Sequence, residues 1–135
     1  MTEAKIERIY ETVIYGRNLD AMAGFYADVL GLRLVEAPDE LAAAFRLPNG
    51  GVLLIFDPSR SSAPGRPVPS HGAIDAGHVA FAVTPGTFEL WRKRLEEHRV
   101  EVEREVAWNG GGRSLYVRDP ADNSVELTED ELWPL

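Results

Sequence analysis

The sequence contains no cysteine. Disulfides, thiolate metal sites and cysteine nucleophiles are therefore excluded, and any metal must be held by oxygen atoms or imidazole nitrogens. Basic residues are scarce as well, because 14 Lys and Arg face 22 Asp and Glu, which gives a formal net charge of -8. We expect no nucleic-acid partner, since phosphate backbones bind basic surfaces.

Long apolar runs are also missing. No stretch approaches the length of a membrane-spanning helix, and the first residues are charged where a signal peptide would be apolar. These features predict a cytoplasmic protein without a membrane partner.

What the chain does have is an apolar content of 44% in 135 residues, which is enough to bury a core. The pattern predicts a single domain over residues 1–135 that is built from two similar halves. Module one covers about 6–57 and module two about 76–130, with a linker loop rich in Ser, Pro and Gly at about 58–75.

Module one has the pattern of a strand, a helix and three further strands. Alternating apolar residues predict a strand over 9–16, and apolar residues at helical spacing predict a helix over 19–30. Asn18 is suited to cap the start of this helix and Gly31 its end. Three short strands are predicted at 33–36, 41–47 and 51–56.

Module two repeats this order. A strand is predicted over 77–83, a helix over 87–97, and strands over 100–106, 114–118 and 124–128. Placing Glu11 on His78, 67 residues later, aligns the first strands of the two modules. Asp122 lies in the closing turn, and Asp tolerates left-handed backbone better than most residues.

Three polar residues open or interrupt alternating apolar segments: Glu11, His78 and Glu126. If their strands share one sheet, two carboxylates and one imidazole converge on a divalent metal. Simpler interpretations exist for two of these residues. Glu11 can point into water, and His78 can be a core histidine bonded to a carbonyl group.

The segment Phe-Tyr-x-x-Val-Leu-Gly-Leu at 25–32, the pair Gly77-His78, and Asp-Pro-x-x-Asn-x-x-Glu at 119–126 together resemble the vicinal oxygen chelate superfamily. This superfamily includes glyoxalases, bleomycin-resistance proteins and extradiol dioxygenases. The resemblance covers nearly the whole chain. It implies an α+β fold of two βαβββ modules that form a curved mixed sheet cup, with the substrate and a metal on the concave face and chains that pair as a homodimer.

The resemblance also implies a ligand set. Its metal positions fall on Glu11, His78 and Glu126, and a fourth position used by some glyoxalases falls on Leu53, which cannot coordinate. Three protein ligands leave about three positions of an octahedral ion for water or a bidentate substrate. Two carboxylates and an imidazole suit manganese, iron(II), zinc, nickel or cobalt.

Three further residues are candidates for the site, and Glu11 is a candidate for a second role. His71 lies in a loop that can cover the site, and it is a candidate general acid, general base or substrate clamp. Tyr116 is expected to alternate towards the cup beside Glu126, although core packing explains it equally well. Arg113 is able to meet an anionic substrate or simply Asp119. Glu11 is also a candidate proton carrier.

The leading hypothesis is a metal-dependent lyase or isomerase of the glyoxalase type that acts on a small molecule with two adjacent oxygens. One alternative is a drug-binding protein without catalysis, for which Trp91, Trp108 and Trp133 are the aromatic candidates. A dioxygenase is less favoured, because one imidazole and two carboxylates differ from the two-His, one-carboxylate set of oxygen-activating iron. A structural relic of the fold is a further alternative. The site lies within one chain or is shared by two.

Overall fold

A computed structural model describes residues 2–129 and 133. The eight strands are β1 (Glu11–Tyr15), β2 (Arg33–Glu36), β3 (Ala42–Arg46), β4 (Val52–Phe56), β5 (His78–Ala82), β6 (Arg104–Ala107), β7 (Arg113–Arg118) and β8 (Ser124–Thr128). The helices are α1 (Leu19–Gly24), which runs into a π-helical turn (Phe25–Val29), α2 (Pro58–Ser61) and α3 (Phe88–Glu97). In the part of the chain that the structure describes, no helix is long and apolar enough to cross a bilayer.

The strands form two four-stranded sheets with the same topology. The first sheet has the order β1-β4-β3-β2 and the second the order β5-β8-β7-β6. In each, the first strand runs parallel to the last and the remaining pairs are antiparallel. The predicted α+β fold of two βαβββ modules, with curved mixed sheets that form an open cup, is confirmed.

The first helix begins and ends where the sequence predicts. The side chain of Asn18 accepts a hydrogen bond from the amide of Ala21 at 3.0 Å, and Gly31 has φ +76°, a conformation that glycine adopts without steric cost. The predicted continuous helix over 19–30 is wrong in one respect. Its second half is a π-helical turn in which the amide of Leu30 donates to the carbonyl of Phe25, so Phe25 and Tyr26 are both buried.

The strand predicted over 100–106 is also shorter than expected. After α3, Arg99 takes φ 57° and the amide of Val100 donates to the carbonyl of Leu95 at 2.8 Å. These contacts tie the chain to the end of the helix, so pairing begins only at Arg104. The apolar residues that suggested a strand, Val100 and Val102, pack against the core without belonging to the sheet.

One buried cluster of apolar side chains includes residues of both modules. Alternate residues of the central strands enter it, such as Leu53 and Ile55 from β4 and Val125 and Leu127 from β8. The opposite faces of β4 and β5 are more accessible, as their alternating burial shows, whereas Glu126 on the opposite face of β8 is buried. Each sheet therefore has one core face and one open face.

Asp119 links the modules through a buried hydrogen-bond network. Its carboxylate accepts from the hydroxyl of Tyr26 at 2.7 Å and from both the amide and the side chain of Asn123 at 2.9 Å. Asn123 in turn donates to the carbonyl of Tyr15 at 2.9 Å and accepts from the amide of Gly77 at 2.8 Å. The turn between β7 and β8 is thereby bonded to the first module's strand and helix.

The same turn confirms the prediction for Asp122, which adopts φ 66°. Its amide donates to the carbonyl of Asp119 at 2.9 Å. The closing turn therefore keeps a left-handed residue without glycine.

We expect Tyr26→Phe to lower the free energy of unfolding by about 1–3 kcal/mol, because a buried carboxylate loses a hydrogen-bond donor. Burial, followed by the nearby Asp119 carboxylate, raises the pKa of Tyr26 far above its ordinary value of 10.0. This contribution is complete below that ordinary value and is lost as the pH rises above it. Above about pH 10, wild-type stability should therefore fall more steeply than that of the variant.

Urea unfolding at neutral and alkaline pH measures both effects. Tyr10→Phe is the matched control, since Tyr10 is 67% exposed and its replacement should change neither quantity. Equal stability of wild type and Tyr26→Phe would show that the link between the modules does not depend on this bond.

Candidate active site

The open face of the second sheet carries the polar residues of the candidate site. Ala80 pairs with Glu126, and Glu126 pairs with Tyr116 on its other side, so their side chains share one face. His78 lies two residues before Ala80 on that same face. These residues line a cavity of about 1090 Å³.

Glu126 is the buried acid of this cavity. The residue is 7% exposed, and its Oε1 lies 3.3 Å from Nε2 of His78. Its other oxygen, Oε2, accepts a hydrogen bond from the hydroxyl of Ser114 at 2.6 Å. Its burial and its hydrogen bond from Ser114 distinguish this carboxylate from the exposed acidic residues of the surface.

His78 is oriented by the strand next to it. Its Nδ1 lies 3.1 Å from the carbonyl oxygen of Ser124, so a proton on Nδ1 satisfies that carbonyl and leaves the lone pair of Nε2 towards Glu126. The ring lies nearly parallel to Tyr116, with centroids 6.4 Å apart. A cation bound at about 2.0–2.2 Å from each ligand needs neighbouring donors about 3 Å apart, which the separation from Glu126 fits.

Tyr116 stands directly opposite Glu126 in the strand pairing. Burial, followed by the neighbouring Glu126 carboxylate, raises the pKa of Tyr116 above its ordinary value. Its hydroxyl therefore stays protonated at neutral pH, beside Glu126 and Ser114 as hydrogen-bond partners.

Sequence reasoning missed Ser114, which is fully buried. It donates to Glu126 and accepts from the indole Nε1 of Trp108 at 2.9 Å. The signal was present in the strand alternation, because Ser114 lies two residues before Tyr116 and hence on the same face of β7.

Arg113 pairs with Glu129 and Glu105, so the predicted contact with Asp119 is wrong. Its Nε donates to Glu129 at 2.8 Å, its Nη1 lies 3.7 Å from Glu105, and its guanidinium lies over the ring of Phe88. The hydrogen bond from Arg113 lowers the pKa of Glu129. The cationic charge of Arg113 is thus compensated at the cavity edge.

Two of the three tryptophans line the cavity, Trp108 and Trp133. Trp91 packs against the core. Two cavity tryptophans therefore supply the aromatic surface that the sequence suggested.

Glu11 is placed on the other sheet. It opens β1 and is exposed, and within residues 2–129 and 133 no three His, Asp or Glu side chains gather closely enough to hold a metal ion. The structure therefore brings His78 and Glu126 together but does not add Glu11 within one chain. The three-residue metal site stays a prediction.

His71 lies in the loop and packs on the face of the first sheet that carries Glu11. Its Nδ1 is 2.7 Å from the hydroxyl of Tyr15, and its ring packs edge-on against Phe56 with centroids 4.7 Å apart. Tyr15 pairs with Phe56, and Tyr15 follows Glu11 by four residues on the same strand. The loop therefore places His71 over the face that bears Glu11, away from the cavity of the second sheet.

Comparison with known proteins identifies the family of this chain. The model of the glyoxalase, bleomycin resistance protein and dioxygenase superfamily matches residues 8–127. The chain belongs to this superfamily. As a superfamily member it is similar to a lactoylglutathione lyase of known structure from Agrobacterium tumefaciens, at 37% identity with a TM-score of 0.89, covering 98% of this chain and 100% of the other.

Two curated relatives are named as ring-cleaving dioxygenases. The putative ring-cleaving dioxygenase MhqE of Bacillus subtilis is 29% identical over 93% of this chain and 42% of its own length. Biphenyl-2,3-diol 1,2-dioxygenase 3 of Rhodococcus globerulus is 29% identical over 91% of this chain and 63% of its own length. The superfamily member described here thus spans less than two thirds of either relative.

The internal repeat of this superfamily member corrects the predicted fourth ligand position. Val13 corresponds to Ala80, and their partners in the parallel strand pairs are Leu54 and Glu126. The equivalent of Glu126 in module one is therefore Leu54, whereas Leu53 is only 1% exposed and faces the core. The sequence alignment was displaced by one residue, which turns a strand residue to the opposite face.

We expect Leu53→Glu and Leu54→Glu to behave differently. The first places an unpaired carboxylate in the core and should cost about 3–5 kcal/mol or prevent folding. The second faces the open side of the sheet and should leave a folded protein.

Circular dichroism and urea unfolding of the two variants measure this difference. Leu53→Ala and Leu54→Ala are the size controls, since both remove the side chain without adding charge. A more stable Leu53→Glu than Leu54→Glu would contradict the assignment of the two faces.

Proposed function

We propose that the protein is a metal-dependent enzyme of the glyoxalase type, a lyase or isomerase that acts on a small substrate with two adjacent oxygens. The observation that carries the proposal is the pair formed by Glu126 Oε1 and His78 Nε2, which lie 3.3 Å apart in a large cavity. A buried acid beside an imidazole offers two adjacent metal donors. Arg113 does not compete for this acid, because its charge is paired with Glu105 and Glu129.

His78 and Glu126 would hold the metal from one chain, and Glu11 would complete the set from a second chain. When bound, a divalent ion polarises the two substrate oxygens and stabilises the negative charge that develops on them. Zinc, manganese, iron(II), nickel and cobalt all accept one imidazole and two carboxylates.

The other residues supply hydrogen bonds and a route for the proton. The protonated hydroxyl of Tyr116 lies beside Glu126 and is suited to donate to a substrate oxygen. His71 or a carboxylate would move the proton, and the hydroxyl of Tyr15 orients the His71 ring through Nδ1. Glu11 retains its second proposed role as a proton carrier.

Pairing of two chains would bring these groups together. The open face of the first sheet carries Glu11 and His71, and the open face of the second carries His78 and Glu126. A two-fold homodimer in which the first face of one chain covers the second face of its partner would form two identical sites. The exposed alternate residues of β5 support this arrangement, because they leave a broad surface to cover.

The cavity walls bear on the substrate class. Among the described residues that line it, the charged groups are acidic and none is Lys or Arg. Such walls offer no basic anchor for the carboxylates of a glutathione conjugate. We infer few anionic groups on the part of the substrate that contacts the second sheet. Arg33 and Arg46 share the open face of the first sheet with Glu11, so an anionic group would be accommodated on that side of the shared site.

Extradiol ring cleavage is the second candidate function. It is favoured by the two curated relatives named as ring-cleaving dioxygenases. The donor set of one imidazole and two carboxylates supports it less well than the first candidate. Metal-independent binding of a drug remains the non-catalytic alternative, for which Trp108 and Trp133 supply the aromatic surface.

We expect the purified protein to retain about one divalent ion per chain, and Glu11→Ala, His78→Ala and Glu126→Ala each to lose it, because each removes one of three ligands. Mixing unfolded Glu11→Ala and Glu126→Ala chains and refolding them together should restore part of the metal binding. A mixed dimer then has one site with all three ligands and one with only His78.

Elemental analysis after gel filtration measures the retained metal. Refolding each variant alone is the control and should restore nothing. Full metal retention in a variant that lacks all three side chains would refute the ligand assignment, and single-variant loss without recovery on mixing would refute the shared site.

For the reaction, we expect metal-dependent isomerisation of a hemithioacetal formed from an aromatic glyoxal and a small neutral thiol, because the walls that the second sheet contributes lack basic anchors. The loss of hemithioacetal absorbance measures the rate, and Glu126→Gln is the inactive control that keeps the shape of the side chain. Oxygen uptake with a catechol and iron(II), absent in that control, would instead establish ring cleavage. Drug binding that persists in chelator without either activity would establish the non-catalytic alternative.

A further inference from the structure

We propose that Ser114 is a positioning residue that holds Glu126 so that only Oε1 faces the cavity, and that the indole of Trp108 sets the direction of the Ser114 hydroxyl. The part of this inference that concerns metal affinity rests on the proposed function. The hydrogen-bond relay itself, from Trp108 through Ser114 to Glu126, does not depend on it.

The three side chains form an unbroken series. Trp108 Nε1 lies 2.9 Å from Ser114 Oγ, and that Oγ lies 2.6 Å from Glu126 Oε2. Ser114 has no exposed surface, so water does not compete for its hydroxyl. The short distance to Glu126 is typical of a hydroxyl bonded to a charged oxygen.

The donor and acceptor capacities of the three groups allow only one direction for this series of hydrogen bonds. The indole N–H is only a donor, so Ser114 must accept from Trp108. A carboxylate only accepts hydrogen bonds, so Ser114 donates its single hydroxyl hydrogen in a hydrogen bond to Glu126. With Oε2 occupied, Oε1 is the oxygen that remains towards His78 and the cavity.

The relay connects the acid to the rim of the cavity. Trp108 begins the tight turn between β6 and β7, in which its amide donates to the carbonyl of Gly112 at 2.7 Å. The residue is 41% exposed and lines the same cavity as Glu126. A molecule that packs against Trp108 therefore contacts the group that orients Ser114.

Glu126 has an alternative without this relay. A Glu side chain on a strand has several rotamers, and its two oxygens are equivalent. Without Ser114, both oxygens can turn towards the cavity or towards His78, and binding a cation would require one arrangement to be selected. Partners of this kind typically change metal affinity by about 10–100-fold when they are removed.

The relay is tested first in metal-free protein. We expect the indole N–H of Trp108 to exchange slowly with solvent in a ¹H–¹⁵N spectrum, and to exchange quickly in Ser114→Ala because its acceptor is gone. Trp91 is the internal reference and should be unaffected by the substitution. Equal exchange of the Trp108 signal in wild type and Ser114→Ala would overturn the relay, whether or not the protein binds metal.

The consequence for affinity is tested by titration of apo-protein with zinc in competition with a chelating dye. Ser114→Ala should weaken binding by about 10–100-fold, and Trp108→Phe, which keeps an aromatic ring but removes the N–H, should weaken it less. Adding Trp108→Phe to Ser114→Ala should have no further effect, since the acceptor is already absent. Trp91→Phe is the matched control and should bind as wild type does.

These arms separate the inference from the proposed function. Wild type that binds no zinc, with slow indole exchange that Ser114→Ala abolishes, would refute the proposed function and support the relay. Wild type that binds zinc with the same affinity as Ser114→Ala, or effects of the two substitutions that add, would refute the positioning role and leave the proposed function standing. Trp108 lies partly exposed, so Trp108→Phe keeps the test valid if Ser114→Ala does not fold.

Discussion

The rest of the structure depends on the hydrogen bonds that the buried Asp119 carboxylate accepts. It accepts hydrogen bonds from the turn that follows it and from Tyr26 of the other module. Because burial removes water as a substitute partner, each of these donors is needed to offset the desolvation of the acid. Asn123 carries the connection further to the carbonyl of Tyr15. The same short turn thus joins the modules and sets where β8 begins, and Glu126 is the third residue of that strand.

Much of the fold was predictable because its signals are local. Strand alternation, the Asn18 cap and the glycine at position 31 each reflect the conformational preference of one short segment. The π-helical turn and the late start of β6 depend instead on contacts with distant parts of the chain. Tyr26 meets Asp119 across 93 residues, and no local pattern encodes that distance.

The candidate site was predictable to a similar extent. His78, Tyr116 and Glu126 share a face because strand parity determines it, and this could be inferred without coordinates. The position of Glu11 relative to them could not, because it depends on how whole sheets are arranged. Ser114 was missed since a small hydroxyl in a strand resembles many serines that do nothing. Only its burial between Trp108 and Glu126 sets it apart.

The ion pairs of Arg113 affect how readily charged molecules enter the cavity. Arg113 and the rim acid Glu129 compensate each other, so among the described residues Glu126 is the cavity acid without a Lys or Arg partner. It leaves a negative field in the cavity, in a chain whose formal charge is -8. Such a field accelerates the approach of small cations and slows that of anions, and added salt weakens both effects. Such a cavity is expected to take up a small cation more readily than an anion, and a bound cation would in turn favour an oxyanion beside it.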